Sequence, residues 1–273
     1  MTTAPDTPWQ HRYRTPSDTA RAANPVIDAL LDHRSVRRYL TTPLPENTLA
    51  TLVAAAQSAS SSSNLQAWSV VAVQDPARKA RLSAIASDQE HIRQAPLFLI
   101  WLADFSRAQR IADARAIELQ APAYLDSLLL GSIDAALAAQ NAVVTAESLG
   151  LGTVYIGALR NNVQAVIDEL QLPPLVFPVF GLCVGYPDPQ APAAIKPRLG
   201  QDVVLHHETY QVDDAEPQRI AAYEQVAADF SREQGQVSGK WGEQVVQRLR
   251  DKGSLHGREI LAEVLRKQGL GLY

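Results

Sequence analysis

Residues 33 to 37, HRSVR, set a histidine and two arginines around one serine, and Arg38 follows at once. Arg34 and Arg37 offer forked donors matched to phosphate oxygens, and Ser35 adds a hydroxyl. This pattern fits an anion site. It equally fits a solvated helix end, because NPVIDALLD just upstream reads as a helix. Asn24 suits its N-cap, Pro25 its first turn, and Val26, Ile27, Leu30 and Leu31 recur at helical spacing. Cations at its end would complement the helix dipole. Charge alone leaves both readings open.

Other polar groups are dispersed: SSSSN at 60 to 64, QEH at 89 to 91, YIGALRNN at 155 to 162 and KPR at 196 to 198. Together they could hold an elongated ligand with an anionic end, sugar-like hydroxyls and a flat polar ring. His91 and Gln89 have no stronger local claim by themselves. His206, His207 and Glu208 do not make a metal set, because neighbours in an extended segment point to opposite faces while ligands must converge. No GxSxG elbow, GxxxxGK[ST] loop, HExxH or EF-hand pattern occurs. The GLG at 150 to 152 reads as a helix cap rather than a dinucleotide fingerprint. Hydrolase, P-loop, zincin and calcium chemistry therefore lack support, and no metal is expected.

The elements that must position these groups follow from periodicity. WSVVAV at 68 to 73, LFLIWL at 97 to 102, TVYIG at 153 to 157 and LVFPVFGLCVG at 175 to 185 are short apolar runs that read as strands. Helical patterning spans PENTLATLVAAAQSA, DPARKARLSAIA, LRNNVQAVIDELQLPP and most of 216 to 268, with a loop near 235 to 239. Residues 123 to 150 read as one helix apolar on every face, which belongs in a core or at a subunit interface. Residues 1 to 22 are Pro/Thr/Arg-rich without periodicity and read as an arm or a strap. Strands spaced by helices indicate a layered α/β or α+β fold.

Composition narrows the partners. The 273 residues suffice for a large core, and a net charge of -4 argues against general nucleic-acid binding. Cys183 is the only cysteine, so neither an internal disulfide nor a zinc-type cysteine set exists, and a reducing cytoplasm fits. No signal-like apolar core and no uninterrupted apolar run of about 18 residues is seen, so neither export nor membrane spanning is expected.

In order and spacing, HRSVR, SSSSNLQ, QEHIRQAP, residues 128 to 162, FGLCVGYP and KPRL resemble the NADPH-linked, oxygen-insensitive nitroreductase and flavin reductase branch of the FMN-dependent nitroreductase superfamily. The resemblance covers residues 24 to 210 well and the C-terminal helices more loosely. It implies an α+β FMN-binding fold, a central mixed β-sheet flanked by helices, and an intertwined homodimer with flavin at the interface. The expected organisation is an N-terminal arm at 1–22, the FMN-binding core at 23–210 and a C-terminal helical extension of the same domain at 211–273.

The resemblance also implies residue roles. His33, Arg34, Ser35 and Arg37 surround the FMN phosphate, ribityl chain and ring edge, and Lys196 and Arg198 complete the cationic site. Ser61, Ser62, Ser63 and Gln89 line the flavin, some of them from the partner subunit. Tyr155, Ile156, Gly157 and Ala158 run beside the isoalloxazine, where glycine permits close backbone approach. Gly157 read by itself is also consistent with a tight turn. NADPH is the expected hydride donor, with Arg232 and Lys240 in SREQGQVSGKW as the cations left to hold it. The expected activity is two-electron, ping-pong reduction of small flat acceptors such as nitroaromatics and quinones. Because the flavin carries the chemistry, no dedicated catalytic side chain is expected. The alternatives are a flavin reductase supplying reduced FMN to a partner and a non-enzymatic flavin-binding protein.

Overall fold

The structure, a computed structural model, describes residues 7–14, 24–236, 239–271 and 273. Its helices and strands run α1 (Pro8–Tyr13), α2 (Pro25–Asp32), α3 (Thr48–Gln57), β1 (Trp68–Val73), α4 (Pro76–Ile85), α5 (Glu90–Gln94), β2 (Leu97–Asp104) and α6 (Ser106–Asp113). They continue with α7 (Leu125–Ser148), β3 (Gly152–Ile156), α8 (Val163–Leu170), β4 (Val176–Gly185), α9 (Gln201–Val204), α10 (Glu216–Glu233), α11 (Trp241–Leu249) and α12 (Leu261–Lys267). Two compact units result. The smaller draws on Met1–Arg34 and Ala193–Ser254, the larger on Ser35–Pro192 and Leu255–Tyr273.

The larger unit is built on a four-stranded sheet in the order β1-β2-β4-β3. The four runs read as strands from sequence all form, and β2 extends to Asp104. The sheet was expected to be mixed, but its three strand pairs are all antiparallel. Parallel pairing enters through an isolated bridge, Ser35 to Thr153. Between Trp101 and Leu102 the β2–β4 register slips, because Phe180 faces Trp101 while Pro178 faces Leu102. Val179 is the extra residue, and the bulge accommodates a proline that cannot donate to the ladder. The carbonyl of Val179 accepts a hydrogen bond from the Arg160 guanidinium instead.

Helix α7 lies on this sheet through its small residues. Ala135, Ala138, Ala139, Ala142, Val143 and Ala146 are fully buried with Leu52, Ala56, Leu97, Leu99, Trp101 and Leu182. Alanines let the helix axis approach the strands closely, which lengthens the shared apolar contact. Its other face is not buried. Leu125, Leu129, Ile133 and Leu137, four residues apart, are 43 to 57% exposed, and Ala136 is exposed beside them. The helix expected to be apolar all round therefore covers a core on one side and leaves an apolar stripe on the other. Among the described residues it is the one helix long and apolar enough to cross a membrane. A second core joins Val163, Ile167 and Phe177 to Val264 and Leu270, so the C-terminal segment closes over α8.

In the smaller unit, Asn24 caps α2 as its sequence suggests, its side chain accepting from the amides of Val26 and Ile27 at 3.0 Å. The described part of the N-terminal arm differs from the aperiodic reading. Thr7 and Gln10 form a reciprocal capping box, Pro8 opens the helix, and the Trp9 and Tyr13 rings lie 4.4 Å apart one turn on. Six residues are too few to show periodicity, so only the cap could have announced α1. The rest of the arm, 1–6 and 15–22, lies outside the described residues. Helix α3 also begins later than its proline suggested, at Thr48, whose amide donates to Pro45 O.

Candidate functional site

Within the smaller unit, His33 caps the C-terminal end of α2 and Arg34 turns back on it. Arg34 Nε donates to Asp32 O at 3.1 Å, and its guanidinium pairs with the Asp32 carboxylate. That is the helix-end role weighed for HRSVR, and for Arg34 it is realised. Lys196 is exposed, while Arg198 Nη1 donates to the carbonyls of Lys196 and Pro197. One residue that the sequence did not single out joins the segments. Arg12, 6% exposed, donates from Nη1 to Lys196 O at 2.7 Å and from Nη2 to Leu31 O at 2.9 Å and His33 O at 2.6 Å.

Arg232 lies in the last turn of α10, 70% exposed, and pairs with Asp229 one turn back. Lys240 is the exposed N-cap residue of α11. Between them, 237–238 lie outside the described residues. His206 packs its ring on Tyr210 and accepts from the Gln211 amide, so its immediate surroundings are those of a turn.

Within the larger unit, residues 35 to 40 are laid along the sheet. Val36 N donates to Thr153 O at 2.8 Å, Leu40 N to Tyr186 O at 2.9 Å, and Tyr39 OH to Val36 O at 2.7 Å. The bridges of Ser35 to Thr153 and of Tyr39 to Pro187 seat this segment over the start of β3 and the residues that follow β4. Arg37 is exposed and makes no hydrogen bond or ion pair with described residues. Burial, and then the nearby charge of Arg37, hold His91 below the ordinary histidine range. His91 thus favours the neutral imidazole at pH 7, near the exposed Arg37. Gln89 precedes it as the N-cap residue of α5, its carbonyl held by Ser83 Oγ at 2.9 Å.

The serine loop is ordered by a group that sequence reasoning passed over. Asp134, 2% exposed on α7, accepts from Ser61 Oγ at 2.7 Å, Ser62 N at 3.2 Å and Ala67 N at 3.1 Å. Ser61 is therefore committed to the loop itself, while Ser62 and Ser63 remain exposed. Ser63, Asn64 and Gln66 all have positive φ, a strained run that this carboxylate anchors. An acid in the middle of a largely apolar helix was the available signal.

The turn after β3 starts at Tyr155, whose ring meets Phe180 edge-on at 5.1 Å and whose hydroxyl donates to Gln140 Oε1 at 3.3 Å. Burial and Glu147 raise its phenol, so it stays protonated. Ile156 is buried, and Gly157 to Asn162 form a 3₁₀ turn. A Cβ placed on Gly157 would meet nothing nearer than the Arg160 guanidinium at 3.5 Å, and its φ is not in the left-handed region. Neither packing nor backbone conformation requires glycine there, which removes the tight-turn explanation. An unsubstituted backbone here, bounded by the Arg160 and Arg258 guanidiniums at 3.5 to 4.0 Å, suits a flat group lying against the turn. Arg258, also unforeseen, fixes the turn from the C-terminal segment by donating to Asn161 Oδ1 at 2.8 Å and Gly157 O at 3.2 Å. Its neighbour Gly257, at φ 91°, approaches Asn161 O so closely that a Cβ would lie 2.4 Å from it. Cys183 is buried in β4, and burial pushes its thiol up, so it behaves as a small core residue.

An exposed cation two residues past a bridge to β3, and a turn at the end of that strand whose glycine neither packing nor φ requires, suit a flat ligand with an anionic end in an α+β layer. The chain belongs to the nitroreductase family. That family's model matches residues 30–186, and the model of its C-terminal domain matches 196–273. The FMN reductase [NAD(P)H] of Bacillus subtilis is 40% identical over 241 residues, covering 87% of this chain and 96% of that protein. The oxygen-insensitive NADPH nitroreductase of Salmonella typhimurium is 36% identical, covering 90% and 98%. Among solved structures, the NADPH:FMN oxidoreductase of Vibrio harveyi complexed with NAD+ superposes with a TM-score of 0.82 at 32% identity, covering 92% and 100%.

Proposed function

We propose that the chain is an NADPH-dependent FMN oxidoreductase reducing nitroaromatics, quinones or free flavin. FMN, when bound, accepts two electrons from NADPH and passes them to the acceptor in separate half-reactions. The protein's own part is positioning and charge. Arg37 and Ser35, with His33, Arg34, Lys196 and Arg198, neutralise a phosphate that carries about two negative charges. The backbone from Tyr155 to Ala158 bears the ring, and Ser62, Ser63 and Gln89 supply polar contacts to the flavin. Arg232 and Lys240 bind the phosphates of NADPH. The chain works as a homodimer through the exposed stripe of α7, in a reducing cytoplasm that suits its lone buried thiol.

The observation that carries this reading is Gly157, where neither φ nor packing among the described residues requires a glycine. Gly157→Ala should therefore leave the melting temperature of flavin-free protein unchanged while weakening FMN retention. Purified wild type should be yellow and should bleach on anaerobic addition of NADPH. Persistent colour would make it a flavin-binding protein without this activity. Similarity to a protein named for FMN reduction favours a second reading, in which free FMN is the acceptor. Steady-state rates with FMN, a nitroaromatic and a quinone as competing acceptors separate the two.

A further inference from the structure

The family match begins at residue 30, so α1 lies outside it. Yet α1 carries Arg12, a buried arginine that holds three carbonyls of the smaller unit. Leu31 O and His33 O sit at the C-terminal end of α2, where helix carbonyls lack intrahelical partners. Arg12 satisfies both with one nitrogen and reaches Lys196 O with the other. The main chain replies, since Arg198 N donates to Arg12 O at 2.9 Å. Arg12 thus ties the first residue of HRSVR to both basic residues of KPR, its guanidinium holding His33 O and Lys196 O and its own carbonyl holding Arg198 N. The arm is itself anchored two residues later. Arg14 forms a two-pronged pair with Glu233 at 3.1 and 2.8 Å and lies over the Phe230 ring.

We propose that Arg12 is a positioning residue for the phosphate end of the flavin: the arm sets the spacing of His33, Lys196 and Arg198 and so determines how tightly a phosphate is held. Arg12 does not bind the phosphate. Its guanidinium is buried and is engaged by three main-chain carbonyls. A fixed fork suits this task, because a guanidinium reaches three carbonyls at set angles and an ammonium cannot. The proposal rests on the reading of these cations as the FMN phosphate site.

The test compares FMN with riboflavin, which lacks the phosphate, by fluorescence titration of the flavin-stripped full chain. Arg12→Gln should lower FMN affinity by about tenfold, the scale of one lost charge-assisted contact, and leave riboflavin affinity unchanged. Arg12→Lys should fall short of wild type in the same ratio, because it keeps the charge and loses the fork. A purely structural role would lower the melting temperature and weaken both flavins alike, which would overturn the proposal. So would an Arg12→Lys protein with a wild-type FMN-to-riboflavin ratio, since charge rather than geometry would then be at work. Lys196→Ala and Arg198→Ala serve as controls. If they lower the ratio and both Arg12 variants do not, Arg12 is acquitted and the phosphate site stands. If no variant moves the ratio, the phosphate-site reading itself falls and the proposal with it.

Discussion

Arg34 and Arg37 share a motif but not a setting. Arg34 pairs with Asp32, whereas Arg37 is exposed without a hydrogen-bonding partner among the described residues. Removing either should weaken FMN binding by about 1.5 to 3 kcal/mol, roughly tenfold to a hundredfold, if each makes one charge-assisted phosphate contact. Titration of flavin-free protein checks this, and unchanged affinity in both Arg34→Ala and Arg37→Ala would return the cluster to a helix-end role. Arg232 stands apart from these residues. At 70% side-chain exposure its pairing with Asp229 is a surface pair of small worth, which leaves the side chain available to a dinucleotide. Arg232→Ala should slow anaerobic reduction by NADPH and raise its apparent binding constant while FMN content stays intact. Stopped-flow reduction as fast and as tight as wild type would transfer the role to Lys240 or another cation.

Helix α7 serves the fold with one face and offers the other. Ala136 lies on the exposed side, so Ala136→Glu places a charge where the single chain buries nothing. A second copy seated on Leu129, Ile133 and Leu137 would have to bury that charge unpaired, which is strongly unfavourable. Sedimentation should show a dimer for wild type and a folded monomer for the variant. A wild-type monomer that retains FMN would remove this face from the site. Asp134 tests the inner side of the same helix. Asp134→Ala deletes the acceptor for Ser61, Ser62 and Ala67, and each hydrogen bond to a charged group contributes about 1.5 to 3 kcal/mol. The variant should melt earlier, with faster proteolysis in the 61 to 66 loop.

Stability of the whole molecule should carry a signature of His91. Its pKa is depressed in the folded chain by burial and by Arg37, while the unfolded chain titrates near the ordinary value of about 6.5. Between those values the unfolded state binds more protons. The contribution is therefore fully present above about pH 6.5 and is lost as pH falls through the folded value. His91→Gln, which cannot titrate, should flatten the fall in melting temperature below pH 6.5 relative to wild type. Parallel profiles for the two proteins would mean that carboxylates govern the acid limb. Flavin-free protein at fixed ionic strength is the right sample, because Arg37 is also assigned to the phosphate.

Local patterns in the sequence determined most of the elements. The four strands, the Asn24 cap, the long helix and the helical C-terminal segment all follow from periodicity and terminal residues, because backbone hydrogen bonding within an element repeats over a few positions. The cationic cluster was legible for the same reason, being five adjacent residues. What spacing could not reveal is pairing between distant positions. Asp134 meets Ser61 across 73 residues, Arg258 meets Asn161 across 97, and Arg12 meets Lys196 across 184. Nor could it say which side of α7 faces the sheet, since alanine and leucine both read as apolar. Only close packing separates them: the small residues lie against the strands, and the large ones remain outside. The tertiary structure also decided that Arg34 is paired while Arg37 has no such partner among the described residues, because folding gave one a neighbouring carboxylate and left the other exposed beyond the bridge to β3.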